Sequence, residues 1–165
     1  MAKDIMAPLW WKQRFEKLRK MVKSGLVLEV GTQPFSAQVF KQAGYSYGSI
    51  ESADALLAVN PNQRCDVVWA MSAFSAVSSL DQAQNALAIA IRLLNCGGVG
   101  VFAVREGSGC SMVGGTDVAK PEYIFSYTKM MFFTLLQEVG FHAIDFSRES
   151  PRYNGQYELV HFARK

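Results

Sequence analysis

Residues 86–104, ALAIAIRLLNCGGVGVFAV, decide the fold class of this chain. The first half carries apolar side chains at helical spacing, and Gly97-Gly98 ends that pattern. The second half, residues 98–104, is a nearly continuous apolar run. Such a strand is usually covered on both faces, as in a parallel sheet. The stretch therefore predicts a helix that leads directly into a buried strand.

The same alternation extends along the chain in both directions. LVLEV (26–30) and CDVVWAM (65–71) are further β-rich runs, and a helical pattern follows each of them. Near the end, FHAIDFSRE and QYELVHFAR flank a turn-rich segment and predict an antiparallel β-hairpin, in which His161 is expected to face outward. Alternating strands and helices predict an α/β fold, a mostly parallel sheet with helices on both faces.

Two further segments complete the sequence-based organisation. The glycine-rich residues 105–121 show no periodicity and are expected to form a long loop of the kind that often carries a site. A helix is expected over about 127–139, capped by Ser126. In a parallel sheet, ligands bind beyond the carboxyl ends of the strands, so the segments that follow the strands are the first place to look for a site.

Length and composition fit one ordinary domain. The chain has 165 residues, of which 50% are hydrophobic and 19% charged, so it can bury a substantial core. Its apolar runs are too short to predict a membrane span, and its charged amino-terminal segment lacks the apolar core of a secretion signal. Cys65, Cys96 and Cys110 form no CxxC pair and lie far in sequence from either histidine. We therefore expect no metal site, no disulfide framework and a cytoplasmic location.

The amino-terminal segment differs in charge from the remainder. Residues 1–25 are expected to form a basic amphipathic helix ahead of a single α/β domain, residues 26–165. Residues 1–23 hold seven Lys or Arg against two acids, whereas the remaining residues hold ten against twelve. A basic helix could contact nucleic acid, but a solvated charged face explains the same pattern.

In the order and spacing of these pieces, residues 26–165 resemble the class I S-adenosylmethionine-dependent methyltransferases of the small-molecule type. LVLEVG resembles the first strand and the opening of the glycine-rich loop of that family, and CDVVWAMSAF resembles its fourth strand. Residues 86–104 resemble its helix, "L-x-P-G-G" turn and fifth strand, and QYELVHFARK resembles its seventh strand. The resemblance implies a Rossmann-like sheet, S-adenosylmethionine as cofactor and methyl transfer to a small-molecule acceptor.

The glycine-rich loop departs from the family pattern. The family usually has an acid followed by three alternate glycines, because the backbone must turn tightly beside the ligand. Glu29 and Gly31 match that pattern, whereas Gln33 and Phe35 occupy the other two glycine positions. Either the loop holds the cofactor differently or it does not hold it. The alternative function is therefore a catalytically inactive, methyltransferase-like binding or partner subunit.

The chain also has fewer residues than the family's sheet requires at one of its edges. Only 39 positions separate Leu26 from Cys65, which leaves room for one intervening strand but hardly for two. We therefore expect a sheet shortened by one strand at the cofactor edge. Glu51 is the candidate for the family's ribose-binding acid, with an exposed loop acid as the alternative. Asp54 lies in a step that resembles the family's adenine-binding segment.

The resemblance assigns candidate site residues. The expected cofactor contacts are Glu29, Gly31, Gln33, Phe35, Glu51, Asp54, Met71 and Ser72, and the expected acceptor contacts are Phe74 and Tyr123. In methyl transfer the side chains mainly have to position the cofactor and the acceptor, because the methyl group on the sulfonium is already activated. Glu106 is the preferred candidate for a general base, with Asp117 and His142 as alternatives, although an ordinary loop acid is the more common explanation of such a residue.

The expected partners follow from the same resemblance. The family's base-modifying members often carry an Asn/Asp-Pro-Pro-aromatic motif after the fourth strand, and residues 70–74 lack it. We therefore expect a small-molecule acceptor and no nucleic-acid substrate. The sequence leaves open whether the chain forms a homodimer.

Overall fold

The computed structural model describes residues 6–113, 122–153 and 156–165. These residues contain four α-helices, α1 (Leu9–Met21), α2 (Ser36–Gln42), α3 (Leu80–Leu93) and α4 (Lys129–Val139). The eight strands within the same ranges are β1 (Gly25–Val30), β2 (Tyr45–Ile50), β3 (Cys65–Ala70), β4 (Leu94–Glu106), β5 (Gly109–Val113), β6 (Glu122–Tyr127), β7 (His142–Tyr153) and β8 (Gln156–Arg164). Two short 3-10 helices lie at Asp54–Ala58 and Ala73–Ser75.

The strands form one sheet whose parallel part is β2-β1-β3-β4-β6. Beyond it, β8 lies antiparallel to β4, and β7 lies antiparallel to β8. The predicted α/β alternation and the terminal hairpin are thus confirmed. Between β2 and β3, the described residues contain only a 3-10 helix, so β2 is an edge strand and the sheet is shortened there as predicted.

Helices cover both faces of the sheet because the strand side chains alternate in direction. Val27, Val67 and Trp69 face α1 and α2 in an aromatic-rich cluster. The intervening strand residues face α3 and α4 in a second cluster. In the described part of the chain, no helix combines the length and apolarity that crossing a membrane would require.

The structure corrects three local predictions. Within residues 105–121, the described part is not a loop, because β4 continues to Glu106 and β5 pairs antiparallel with β6. The cap of α4 is Thr128, whose hydroxyl accepts from the Met131 N–H at 3.1 Å, whereas Ser126 lies in β6. His161 is fully buried rather than outward-facing, because β8 lies between β4 and β7 and is covered on both faces.

Candidate functional site

A cleft of about 170 Å³ opens where β1, β2 and β3 end. Ligand sites in parallel sheets lie at this rim, since the segments that follow neighbouring strands meet there. Three segments after the strands and one residue of α3 build its wall. The lining residues are Gly31, Glu51, Ser52, Ala53, Asp54, Ser72, Ala73, Ala76 and Gln82.

Gly31 brings the ends of two strands together at the floor of this cleft. Its N–H donates to the carbonyl of Ile50 at 2.8 Å, which ties the end of β1 to the end of β2. Its φ of +72° lies in the left-handed region that favours glycine, and a Cβ there would approach that of Ala73 to 3.5 Å. Any larger side chain would therefore strain the backbone and narrow the cleft.

Two exposed carboxylates, Glu51 and Asp54, line the side of the cleft that follows β2. The carboxylate of Asp54 accepts a hydrogen bond from the side-chain amide of Gln82, which α3 contributes. Gln82 is itself held by Ser78, whose N–H and hydroxyl both donate to its amide oxygen. The arrangement places acceptor oxygens beside a small opening, those of Asp54 held by Gln82, which suits hydroxyl or amino groups of a ligand.

Glu29 lies beneath the loop and does not line the cleft. Its Oε1 accepts from the Tyr47 hydroxyl at 2.7 Å and from the Gln33 N–H at 3.3 Å. Burial raises the pKa of Glu29, although Ser36, Tyr47 and Gln33 partly offset this effect. Ser36 lowers that pKa, although its hydroxyl makes no hydrogen bond of ordinary geometry to a described residue. Glu29 Oε2 likewise has no hydrogen-bond partner among the described residues. Glu29 thus fixes the loop that carries Gln33.

Phe35 is a packing residue in this structure. Its side chain is 7% exposed and meets the Trp11 ring edge-on, with 5.2 Å between centroids. Trp11 in turn packs against Phe15, Phe40 and Trp69. The third glycine position of the loop therefore carries a ring that docks α1 onto the sheet, and Phe35 does not line the cleft.

Met71 lies beside one residue of the cleft, Ser72, and one residue of a second groove, Arg14. Its neighbour Ser72 lines the cleft, while the Met71 sulfur lies 3.5 Å from a guanidinium nitrogen of Arg14 in α1. Arg14 is 3% exposed and forms ion pairs with Glu149 at 2.7 Å and Glu158 at 2.5 Å.

The second groove, next to Arg14 and Glu149, has a volume of about 310 Å³. It is lined by Trp10, Gln13, Arg14, Arg148, Glu149 and Ser150. The sequence reasoning missed Arg14, yet a signal was present. Arg14 interrupts the apolar face of α1 one position before Phe15, and a charge in such a position requires a buried partner.

Of the predicted acceptor and catalytic residues whose side chains the structure describes, none lines the cleft. Phe74 is fully buried on the α4 face, where it packs against Phe102 and Phe132. Glu106 accepts from Arg148 Nε at 2.6 Å in a partly exposed ion pair. The side chain of Tyr123 and all of Asp117 lie outside the described residues. His142 is exposed at the start of β7, and in the described ranges no three His, Cys, Asp or Glu residues group as metal ligands.

Solved structures share this architecture at high coverage. A methyltransferase from Methanosarcina mazei, described as S-adenosylmethionine-dependent, aligns over 90% of this chain and 96% of its own, with a TM-score of 0.69 and 12% identity. The fold is that of the class I S-adenosylmethionine-dependent methyltransferases. At identities this low, the likeness establishes the methyltransferase fold and leaves the activity to be argued from the site.

Two further methyltransferase structures have the same arrangement. The 1,6-didemethyltoxoflavin-N1-methyltransferase of Burkholderia thailandensis, solved with 1,6-didemethyltoxoflavin and S-adenosylhomocysteine, has a TM-score of 0.69 and 16% identity over 91% of this chain and 75% of its own. A methyltransferase from Streptomyces caelestis aligns over 100% of this chain and 99% of its own, with a TM-score of 0.64 and 13% identity. The sequence matches no family model and no curated protein sequence.

Proposed function

We propose that this chain is an S-adenosylmethionine-dependent methyltransferase that acts on a small-molecule acceptor. One observation carries the proposal: Gly31, Glu51, Asp54 and Ser72 line a single cleft at the carboxyl ends of β1, β2 and β3. These four were expected as cofactor contacts from separate segments of the sequence. Their convergence in a methyltransferase fold supports a site for the adenosine half of the cofactor.

The chemistry of the lining groups fits that half. Glu51, directly after β2, offers carboxylate oxygens to the ribose hydroxyls, and Asp54, held by Gln82, offers an acceptor to the adenine amino group. Gly31 lets the backbone pass close to the ligand without a side chain between them. When bound, the cofactor supplies a methyl group already activated by the sulfonium charge. The protein's contribution is then chiefly to position cofactor and acceptor.

The cleft holds only part of such a ligand. Its volume of about 170 Å³ is below the roughly 300–1,000 Å³ of pockets that enclose a drug-sized molecule. The methionine half of the cofactor would then extend past Ser72 toward Met71, which Arg14 contacts. We assign the acceptor to the groove beyond, because Trp10 gives it an aromatic wall and Glu149 gives it a partly exposed carboxylate.

A second candidate function is a non-catalytic subunit that binds adenosine-type ligands or a partner protein. Burial of Met71 and Phe35 favours it, since both residues belong to the aromatic cluster that fixes α1. In this alternative the cleft keeps the adenosine contacts, while the methionine end has no room. The two functions therefore differ in which ligands bind.

Thermal unfolding with adenosine, S-adenosylhomocysteine and S-adenosylmethionine separates the two. A ligand at 100 times its Kd stabilises the folded state by about 2.7 kcal/mol and raises Tm by roughly 5–10 °C. Shifts with all three ligands support the methyltransferase, whereas a shift with adenosine alone supports the non-catalytic subunit. No shift with any ligand contradicts both the methyltransferase and an adenosine-binding subunit. Transfer of labelled methyl groups to a panel of small amines, alcohols and heteroaromatics then tests catalysis.

A glycine pair provides the matched control for the binding site. Gly31→Val should abolish the ligand-induced shift, because the new side chain faces Ala73 in the cleft. Gly97→Val introduces a similar backbone strain, at φ +79°, but nothing lies within 4 Å of its Cβ position. That variant should lose stability while keeping the shift. If Gly31→Val still responds to ligand, the cleft is not the binding site.

A further inference from the structure

The outer edge of β2 presents backbone hydrogen-bonding groups that no other strand in the described ranges uses. Among the described residues, β2 pairs only with β1, in parallel. In a parallel pair, the N–H and C=O of one residue point to the same neighbour, and this direction alternates along the strand. The Ile50 carbonyl accepts from Gly31 N–H, so Ile50 and Gly48 face β1. The backbone groups of Tyr47 and Ser49 therefore point away from the sheet.

This edge lacks the features that usually prevent pairing with another chain. Natural edge strands carry lysines, prolines or bulges, or are very short. Residues 45–50, YSYGSI, contain no charge and no proline, and the six-residue register with β1 has no irregularity. Ser46 and Ser49 are exposed, so the edge is open to solvent.

We propose that β2 pairs antiparallel with β2 of a second copy of this chain, joining the two sheets across a two-fold axis. A closed dimer requires this symmetry, and it places the start of one strand beside the end of the other. Centred on Gly48, the pairing sets Tyr47 opposite Ser49 of the second copy, and both residues have outward-pointing groups. The residue on the axis then has no side chain to obstruct the approach.

The charges that flank β2 favour the same partner. Lys41 precedes the strand, Glu51 and Asp54 follow it, and all three are exposed. Antiparallel pairing brings Lys41 of each copy toward the two acids of the other, whereas parallel pairing would bring like charges together. Because Glu51 and Asp54 line the cleft, Lys41 of the second copy would lie near its acidic side. This inference depends on the strand edge and not on the proposed activity.

Analytical ultracentrifugation over a concentration series tests the dimer with a matched pair of variants. Ser49→Pro removes an outward N–H and leaves the β1–β2 hydrogen bonds intact, since proline is tolerated on edge strands. We expect the wild type to dimerise and Ser49→Pro to raise the dimer Kd by roughly tenfold or more, because each copy loses a hydrogen bond. Ser49→Ala keeps the N–H and should dimerise like the wild type.

Substitutions that reverse the flanking charges provide an independent test of the dimer if Ser49→Pro does not fold. Lys41→Glu and Asp54→Lys should each weaken self-association, and an equimolar mixture of the two variants should form a heterodimer more tightly than either variant forms a homodimer. A wild type that stays monomeric throughout would overturn the proposal. Unchanged association in Ser49→Pro, or a mixture no tighter than its components, would overturn it as well.

Discussion

Buried His161 should make the stability of this protein depend steeply on pH below neutrality. Its ring packs between Phe132 and Phe146, with centroid distances of 4.9 and 5.1 Å, and neither ring nitrogen makes a hydrogen bond of ordinary geometry to a described residue. Burial lowers the pKa of His161 to about 4; nearby backbone groups partly offset this effect, and the charge of Lys129 adds to it. The folded state therefore keeps this imidazole neutral well below pH 6.5.

The sign and the size of the effect follow from proton linkage. Between pH 6.5 and pH 4 the unfolded chain binds a proton at this histidine that the folded chain does not, so the free energy of unfolding falls as the pH falls. The loss is negligible at pH 7.5 and about 2 kcal/mol at pH 5. For a chain of this length, that loss lowers Tm by roughly 4–8 °C.

Urea denaturation of wild type and His161→Phe at pH 7.5 and pH 5 measures this contribution. The substitution keeps an aromatic ring between Phe132 and Phe146 and removes the titrating group. The wild type should lose about 2 kcal/mol more than His161→Phe between the two pH values. His142→Gln, at an exposed position, retains His161 and should follow the wild type. Equal losses in wild type and His161→Phe would refute the reasoning.

Two further substitutions test the buried polar contacts. Arg14→Met removes the cation shared by two carboxylates and should cost about 3–5 kcal/mol of unfolding free energy in urea, whereas Arg148→Met, at an exposed pair, should cost far less. Similar costs for both would argue against a buried ion cluster. Tyr127→Phe removes a hydroxyl that donates to the Phe74 carbonyl at 2.6 Å and should cost about 1–3 kcal/mol in the same assay. A variant as stable as wild type would mean that this bond contributes nothing.

The fold was predictable because it is set by local patterns. Strands that are buried on both faces are continuously apolar, and amphipathic helices carry apolar residues three and four positions apart. Glycines mark the ends of several of these elements. Gly140, for example, ends α4 with a φ of +109°. The β5–β6 pairing was missed because Gly107 and Gly109 break the apolar pattern, and the pairing depends on contacts between strands.

The candidate site was predictable only where strand ends define it. Gly31 and Glu51 directly follow strands, and parallel topology alone brings them to one rim. The contacts of Arg14 could not be read from spacing, because its partners Glu149 and Glu158 lie 135 and 144 positions away. Phe74 was placed correctly after a strand, but the 3-10 helix that begins at Ala73 turns its ring into the core.

Phe35, at a glycine position of the family pattern, and the buried Arg14 cluster belong to one packing arrangement. A ring at position 35 gives Trp11 an edge-on partner, and this contact holds α1 close against the sheet. With α1 in that position, Arg14 reaches both the Met71 sulfur and the two glutamates of the hairpin. The same packing therefore holds Arg14 against Met71, next to Ser72 of the cleft. Methyl transfer as proposed above would require α1 to move away from Met71, whereas adenosine binding at the cleft would not.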